Sequence, residues 1–300
     1  MKILVTDGAD CSALQKLREM GHEVTEQFYS PEELGAALRE FDAVVVRSAT
    51  KIRRAQLEQA RGGRLKLIIR GGVGVDNIDV TDAEAMGIHV RNTPNASSNA
   101  VAELAIGLMF SCARYISVAG NTMRQGKWEK KAYSKGFELG GKTLGVIGYG
   151  RIGSRIGQLA QGLGMQVVAY QRHPKPELES PSMRFVSLDE LFAVSDIIAL
   201  STPALGQPVI NADSIAKMKD GVVIINTSRG ANIDEDALLD ALNSGKVRAA
   251  GLDVWQQEPT TNEALSRHSA VSALPHIGAS TVEAQQRIGE EIVAIVREFS

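Results

Sequence analysis

Three side chains, each just past an apolar run, have the types that chemistry on a carbonyl group requires. They are Arg229 in Asn226-Thr227-Ser228-Arg229-Gly230, Glu258 in Gln257-Glu258-Pro259, and His276 in Pro275-His276-Ile277-Gly278. A histidine can donate the proton, and a carboxylate beside it favours its charged form. A guanidinium has a rigid fork that clamps a carboxylate and polarises the carbonyl next to it. Taken singly, each has a plainer reading. Arg229 would serve a structural ion pair, Glu258 a solvated loop, and His276 a helix entry or a packing position.

A second group of residues points to phosphate. Gly148-Tyr149-Gly150-Arg151-Ile152-Gly153 follows the apolar run Leu144–Ile147 and opens a helical pattern. The first two glycines of such a turn let backbone N–H groups approach a pyrophosphate, and the third lets helix and strand pack closely. The free N–H groups and positive dipole end of the helix then favour an anion. The run Val167–Tyr170 continues into Gln171-Arg172-His173-Pro174-Lys175, with no carboxylate to hold adenosine ribose hydroxyls. Two readings stay open there: a solvated loop with ribose contacts from Gln171, or a pocket for a 2′-phosphate. Nearer the N-terminus, Val46–Lys51 and Arg70–Asp76 also stand at strand ends. Gly71 and Gly72 could present N–H groups to an anion with Arg47 and Arg70 beside them. Turns with solvated arginines are the alternative.

These residues need elements to position them, and the chain supplies an alternation. Strands are expected at Ile3–Thr6, Ala43–Val46, Lys66–Ile69, Leu144–Ile147, Val167–Tyr170, Ile197–Leu200, Val222–Asn226 and Ala249–Leu252. Several are apolar at consecutive positions, as in parallel strands covered on both faces. Helical patterns run over Ser12–Met20, Glu32–Leu38, Ile152–Leu163, Leu188–Val194 and Glu235–Asn243, with a long stretch from Ser98 to Gln125 and a last helix over Val282–Phe299. Such alternation predicts α/β architecture with doubly wound parallel sheets. Asn92-Thr93-Pro94-Asn95 marks a boundary. The expected organisation is a discontinuous domain, residues 1–95 and 282–300, around an inserted domain, 96–281.

Composition removes other classes. Lys+Arg 33 against Asp+Glu 35 and only 5% aromatic residues argue against nucleic acid as a partner. Two cysteines, Cys11 and Cys112, cannot make a disulfide framework or a structural zinc site, and no metal is expected. No apolar run approaches the roughly 18 residues of a membrane span, and the chain starts on a strand pattern without a signal-peptide layout. A reducing cytoplasm is the expected setting.

Taken in order, Val46-Arg47-Ser48-Ala49-Thr50-Lys51, Gly74-Val75-Asp76-Asn77, Asn92-Thr93-Pro94, Gly148–Gly153, Asn226–Gly230, Gln257-Glu258-Pro259 and Pro275–Thr281 resemble the D-isomer-specific 2-hydroxyacid dehydrogenases over nearly the whole chain. Among these, the chain looks most like the members acting on 3-phosphoglycerate in serine biosynthesis. The resemblance implies two doubly wound domains, a substrate domain and an inserted Rossmann-type NAD(P)-binding domain. It makes His276 the acid and base, Glu258 its partner, and Arg229 the group that holds substrate carboxylate and carbonyl. It places Val73, Gly148, Gly150, Arg151, Ile152, Gly153, Gln171, Arg172, Thr202, Pro203, Thr227, Ser228, Asp253, Gly278 and Ala279 against NAD(H) or NADP(H), with Asp253 near the nicotinamide amide. Arg47, Arg70, Gly71, Gly72 and Val73 match positions facing the substrate. A homodimer through residues 100–140 is implied, and the regulatory domains of longer relatives are not expected after Ser300. Broad reduction of glyoxylate or hydroxypyruvate is the alternative activity. A non-catalytic dinucleotide-sensing scaffold, as in related corepressors, fits less well with Arg229, Glu258 and His276 all present.

Overall fold

The computed structural model describes all 300 residues, Met1–Ser300, as two compact units. One comprises Met1–Ser97 with Ala279–Ser300, the other Ser98–Gly278. The divisions thus fall after residue 97 rather than 95, and before residue 279 rather than 282.

The first unit is built on β1 (Lys2–Val5), β2 (Glu23–Glu26), β3 (Ala43–Val46), β4 (Leu67–Arg70) and β5 (His89–Asn92). They form one parallel sheet in the order β2-β1-β3-β4-β5. One face carries the helices Cys11–Glu19 and Val282–Phe299, joined in a core of Ile3, Val5, Leu14, Leu17, Ile69, Ile288 and Val296. Gly289 faces the Ala13 methyl so closely that a side chain there would collide, and this sets the distance between the two helices. The strand order reverses between β1 and β3, the place where ligands gather at the carboxyl ends of such sheets.

The second unit contains β6 (Thr143–Ile147), β7 (Gln166–Tyr170), β8 (Met183–Phe185), β9 (Ile197–Leu200), β10 (Val222–Asn226), β11 (Val247–Leu252) and β12 (Val271–Ala273). All are parallel, in the order β12-β11-β10-β9-β6-β7-β8, so the order reverses between β6 and β9. Both faces are covered. Ala105, Leu108, Met109 and Ile156 pack on one side, and Leu191, Ile215, Leu238 and Leu265 on the other.

The stretch from Ser98 to Gln125 is not one helix. It breaks at Tyr115, whose φ of 57° is left-handed, into Ser98–Arg114 and Ile116–Arg124. The first piece buries Ala102, Ala105, Leu108, Met109 and Cys112, while the second buries no residue. A change of environment therefore coincides with the break. No single helix is long and apolar enough to cross a membrane.

Candidate active site

In the second unit the loops after β6, β9, β10, β11 and β12 all leave the carboxyl edge of one parallel sheet. The turn after β6 is shaped by its glycines. Gly148 has φ 92° and lies against the Ser201 carbonyl and Thr202 of the loop after β9, the two strands flanking the order reversal. A side chain at Gly153 would run into the Gly148 carbonyl oxygen, so the helix Arg151–Gly162 can approach the strand only with glycine there. Gly150, the N-cap, opens onto free space and provides no side-chain cap. The first-turn N–H groups thus have the accessibility that a pyrophosphate needs.

Gln171 stands directly after β7, and its Oε1 is buried without a hydrogen-bond partner. Arg172, His173 and Lys175 are exposed on the same loop. A buried acceptor lacking a donor is costly, and ribose hydroxyls would supply one. The orphaned oxygen and the open space over Gly150 both fit a dinucleotide. Thr202, Thr227 and Ser228 sit on the neighbouring loops, with Pro203 exposed.

The loop after β10 carries Arg229 on a buried polar brace. Asn226 Nδ2 donates to the Arg229 carbonyl at 2.8 Å, and Asn226 Oδ1 accepts from Ser228 N at 3.0 Å and Ser228 Oγ at 2.8 Å. Arg229 Nη1 donates to the Ser228 carbonyl at 2.6 Å. Asn232, fully buried, donates to the Thr202 carbonyl at 3.0 Å and so links the loops after β10 and β9.

His276 Nδ1 and Glu258 Oε2 are 2.7 Å apart, with side-chain exposures of 36% and 35%, open enough for a substrate to reach the imidazole. Glu258 Oε1 accepts from Trp255 N at 3.1 Å. Partial burial pushes the Glu258 carboxyl up. The hydrogen bond and charge of His276, the Trp255 N–H and the Arg229 guanidinium outweigh that and hold it below the usual carboxylate range. Glu258 is therefore an anion at neutral pH, and the Arg229 charge falls on the same carboxylate.

His276 itself has φ 57°, left-handed and strained for a residue with a side chain. Asp253, 1% exposed, holds it there: its two oxygens accept from Ile277 N and Gly278 N, each at 2.8 Å. Burial raises the Asp253 carboxyl above its usual range; the two N–H groups and the His276 charge offset this only in part. The first place of Asp253 in this fold is thus the His276 turn. Gly278 leaves room for the Asp253 contact, and Ala279 begins the segment assigned to the other unit.

In the first unit the β1 and β3 ends are stapled together. Asp7 accepts from Arg47 N at 2.7 Å, Thr50 N at 3.0 Å and Thr50 Oγ1 at 2.6 Å. Asn77 donates to the carbonyls of Arg47 and Thr50, each at 2.7 Å. Gly71 and Gly72 depart from expectation. Their N–H groups donate to the carbonyls of Val46 and Arg70, both at 2.9 Å, so neither is turned outward to an anion. The Arg70 side chain folds over Gly72 and donates to the Gly71 carbonyl at 2.9 Å, while Val73 is exposed. Asp7 and Asn232 are not among the residues the sequence singles out, and Asn77 stands there only within the Gly74–Asn77 motif, without a role. The strand-end triplet Thr6-Asp7-Gly8 was the available signal for Asp7.

Residues 106–278 match the sequence model of the D-isomer specific 2-hydroxyacid dehydrogenase NAD-binding domain. The chain is 49% identical over 298 residues to a hydroxypyruvate reductase of Thermotoga maritima, covering 97% of this chain and 96% of that protein. It is 43% identical to a D-3-phosphoglycerate dehydrogenase of Methanocaldococcus jannaschii, covering 99% of this chain but only 58% of that longer protein. Among solved structures, a glyoxylate reductase from Paecilomyes thermophila superposes with a TM-score of 0.88 at 33% identity, covering 99% and 94% of the two chains. With its glycine turn, its all-parallel sheets and its Arg–Glu–His set, the chain belongs to the D-isomer-specific 2-hydroxyacid dehydrogenases, nicotinamide-dependent oxidoreductases of small 2-hydroxy and 2-keto acids.

Proposed function

We propose that this protein interconverts 3-phosphoglycerate and 3-phosphohydroxypyruvate, a reaction that feeds serine biosynthesis. The observation that carries the chemistry is the 2.7 Å His276–Glu258 contact, with the Arg229 charge felt by the same carboxylate. In the reductive direction, His276 donates its proton to the substrate's carbonyl oxygen, and Glu258 holds the imidazole at Nδ1 so that Nε2 faces the substrate. Arg229 grips the substrate carboxylate and draws electron density from the neighbouring carbonyl. A nicotinamide cofactor, when bound, would supply the hydride for reduction of the keto carbon and would accept it in the oxidative direction. Gly148, Gly150, Arg151, Ile152 and Gly153 would hold the cofactor's pyrophosphate, and Gln171 its adenosine ribose. Because Gln171 carries no charge to repel a 2′-phosphate, and Arg172 follows it, both NADP(H) and NAD(H) are accepted in this reading.

Arg47, on its stapled loop, is assigned the substrate's phosphate. Charge-assisted hydrogen bonds are each worth roughly 1.5–3 kcal/mol, so Arg47→Ala is expected to cost phosphohydroxypyruvate about 10–100-fold in kcat/KM. Hydroxypyruvate, without the phosphate, is expected to be little affected. Equal losses for the two substrates would remove the phosphate role. They would favour a second reading, unphosphorylated hydroxypyruvate or glyoxylate, which draws support from the Thermotoga maritima relative of matching length.

A homodimer through residues 100–140 completes the reading. Its support is the helix Ile116–Arg124, which buries no residue, with Ile116, Met123 and the nearby Trp128 exposed by 58%, 54% and 79%. Large apolar side chains left in water over one short segment are the kind of surface a partner covers. Lysines of the Lys127–Lys131 turn are candidates to assist Arg47 from a partner subunit.

A further inference from the structure

One buried carboxylate has no part in the chemistry described so far. Glu235 opens the helix Glu235–Ser244, where a glutamate would ordinarily sit in water and favour the positive helix end. Instead it is only 8% exposed. Glutamate is rarely buried unless it is partnered, and its partners are specific. Oε1 accepts from Gln256 N at 2.8 Å, and Oε2 from Asn262 Nδ2 at 2.9 Å. Glu258 lies between those two positions.

The same short segment holds the loop in other ways. Gln256 Nε2 donates to the Ile233 carbonyl at 2.7 Å. Gly230, directly after Arg229, is pressed so tightly on the Trp255–Gln256 backbone that any side chain there would collide with it. Trp255 N, one residue before the clasped Gln256, is the donor to Glu258 Oε1. Residues 229–235 therefore carry Arg229 at one end and grip the Glu258 loop at the other.

We propose that Glu235 is a positioning residue for Glu258. Its carboxylate clasps both ends of the 256–262 loop and fixes Glu258 in register with His276 and Arg229. This rests on the catalytic reading of Glu258 given above. Asn262 reinforces the clasp because its Oδ1 caps the following turn at Leu265 N, leaving Nδ2 turned to Glu235.

Amide exchange of the 255–262 segment reads the clasp without turnover, and kinetics beside Glu258→Gln read its consequence. Glu235→Ala is expected to speed exchange at Gln256 by about tenfold or more, as a local opening made easier. It is also expected to lower kcat for keto-acid reduction about 10–100-fold, the cost of a misplaced catalytic group. The alkaline limb of its pH profile is expected to move the same way as in Glu258→Gln. Glu235→Gln sets an amide NH2 against the Asn262 NH2 and is expected to resemble the alanine variant. Adding Asn262→Asp turns the pair round, still leaves an oxygen for Leu265 N, and is expected to recover most of the lost turnover. Unchanged exchange in Glu235→Ala would overturn the clasp. Faster exchange with normal turnover and an unmoved pH limb, where Glu258→Gln is impaired, would overturn the positioning role. A normal Glu258→Gln would instead strike the catalytic reading itself, and the proposal with it.

Discussion

At the scale of single residues, the site is made of groups whose partners lie far away in the chain. His276 and Glu258 are 18 residues apart, and β11 and β12, being neighbours in the sheet, bring their loops together. The sequence made both residues visible by type and by their place after apolar runs. It could not show the left-handed turn at His276 or the two Asp253 hydrogen bonds that hold it, because neither leaves a local pattern. Gln171 is the residue where sequence and structure together sharpen a prediction. A carboxylate after β7 would accept from ribose hydroxyls and repel a 2′-phosphate; the amide keeps the first property and loses the second. Gln171→Asp is therefore expected to shift the NADH:NADPH ratio of kcat/KM towards NADH by about tenfold or more, the worth of roughly 1.4 kcal/mol. Wild type favouring NADH by more than about a hundredfold, or an unmoved ratio in the variant, would show that cofactor choice is made elsewhere.

At the scale of elements, what was legible follows burial. All eight expected strands exist, and they are the eight interior strands of the two sheets. The four that went unseen, β2, β5, β8 and β12, are the four sheet edges. An edge strand has fewer neighbours and so lacks the continuous apolar run: Glu23–Glu26 and His89–Asn92 bury no residue fully. The short helices Arg54–Ala60 and Val80–Ala85 went unseen as well: the first buries only Leu57 and Ala60 and the second only Ala83, too little apolar surface to mark a face. The break at Tyr115 escaped because apolar residues continue past it while the buried face does not. The turn after β6 is an element whose sequence already stated its geometry, and it yields a direct test. Gly153→Ala puts a methyl against the Gly148 carbonyl. Overpacking of this kind typically costs about 1–3 kcal/mol, here by pushing the helix N-terminus off the strand. Cofactor dissociation constants are expected to rise about tenfold or more, with thermal stability lowered. Normal cofactor affinity would mean that the turn does not hold the pyrophosphate.

At the scale of the whole molecule, two doubly wound units were readable from the alternation of strand and helix, and family membership follows from matches spread along the chain. Charge pairs at the far ends of the strands add a pH dependence to the fold. Asp196, just before β9, is pushed up by burial, but the Thr143 N–H at 2.8 Å and Lys219 at 2.9 Å outweigh this and hold its carboxyl below the usual range. A depressed carboxyl stabilises the fold above its unfolded value, and that stability is lost as pH falls through the folded value. Asp196→Asn is expected to cost about 1–2 kcal/mol at neutral pH and progressively less in acid, as thermal melts across pH would show; a constant deficit would contradict the charge pairing. The proposed reaction turns on His276 giving the proton in reduction of a 2-keto acid. It is tested most directly by single-turnover reduction of hydroxypyruvate and its phosphate with reduced cofactor, in wild type and His276→Ala. General acid catalysis typically contributes about 10²–10⁴-fold, so the variant is expected to lose at least about a hundredfold in rate, with cofactor binding kept. A variant turning over at close to the wild-type rate would contradict that role for His276.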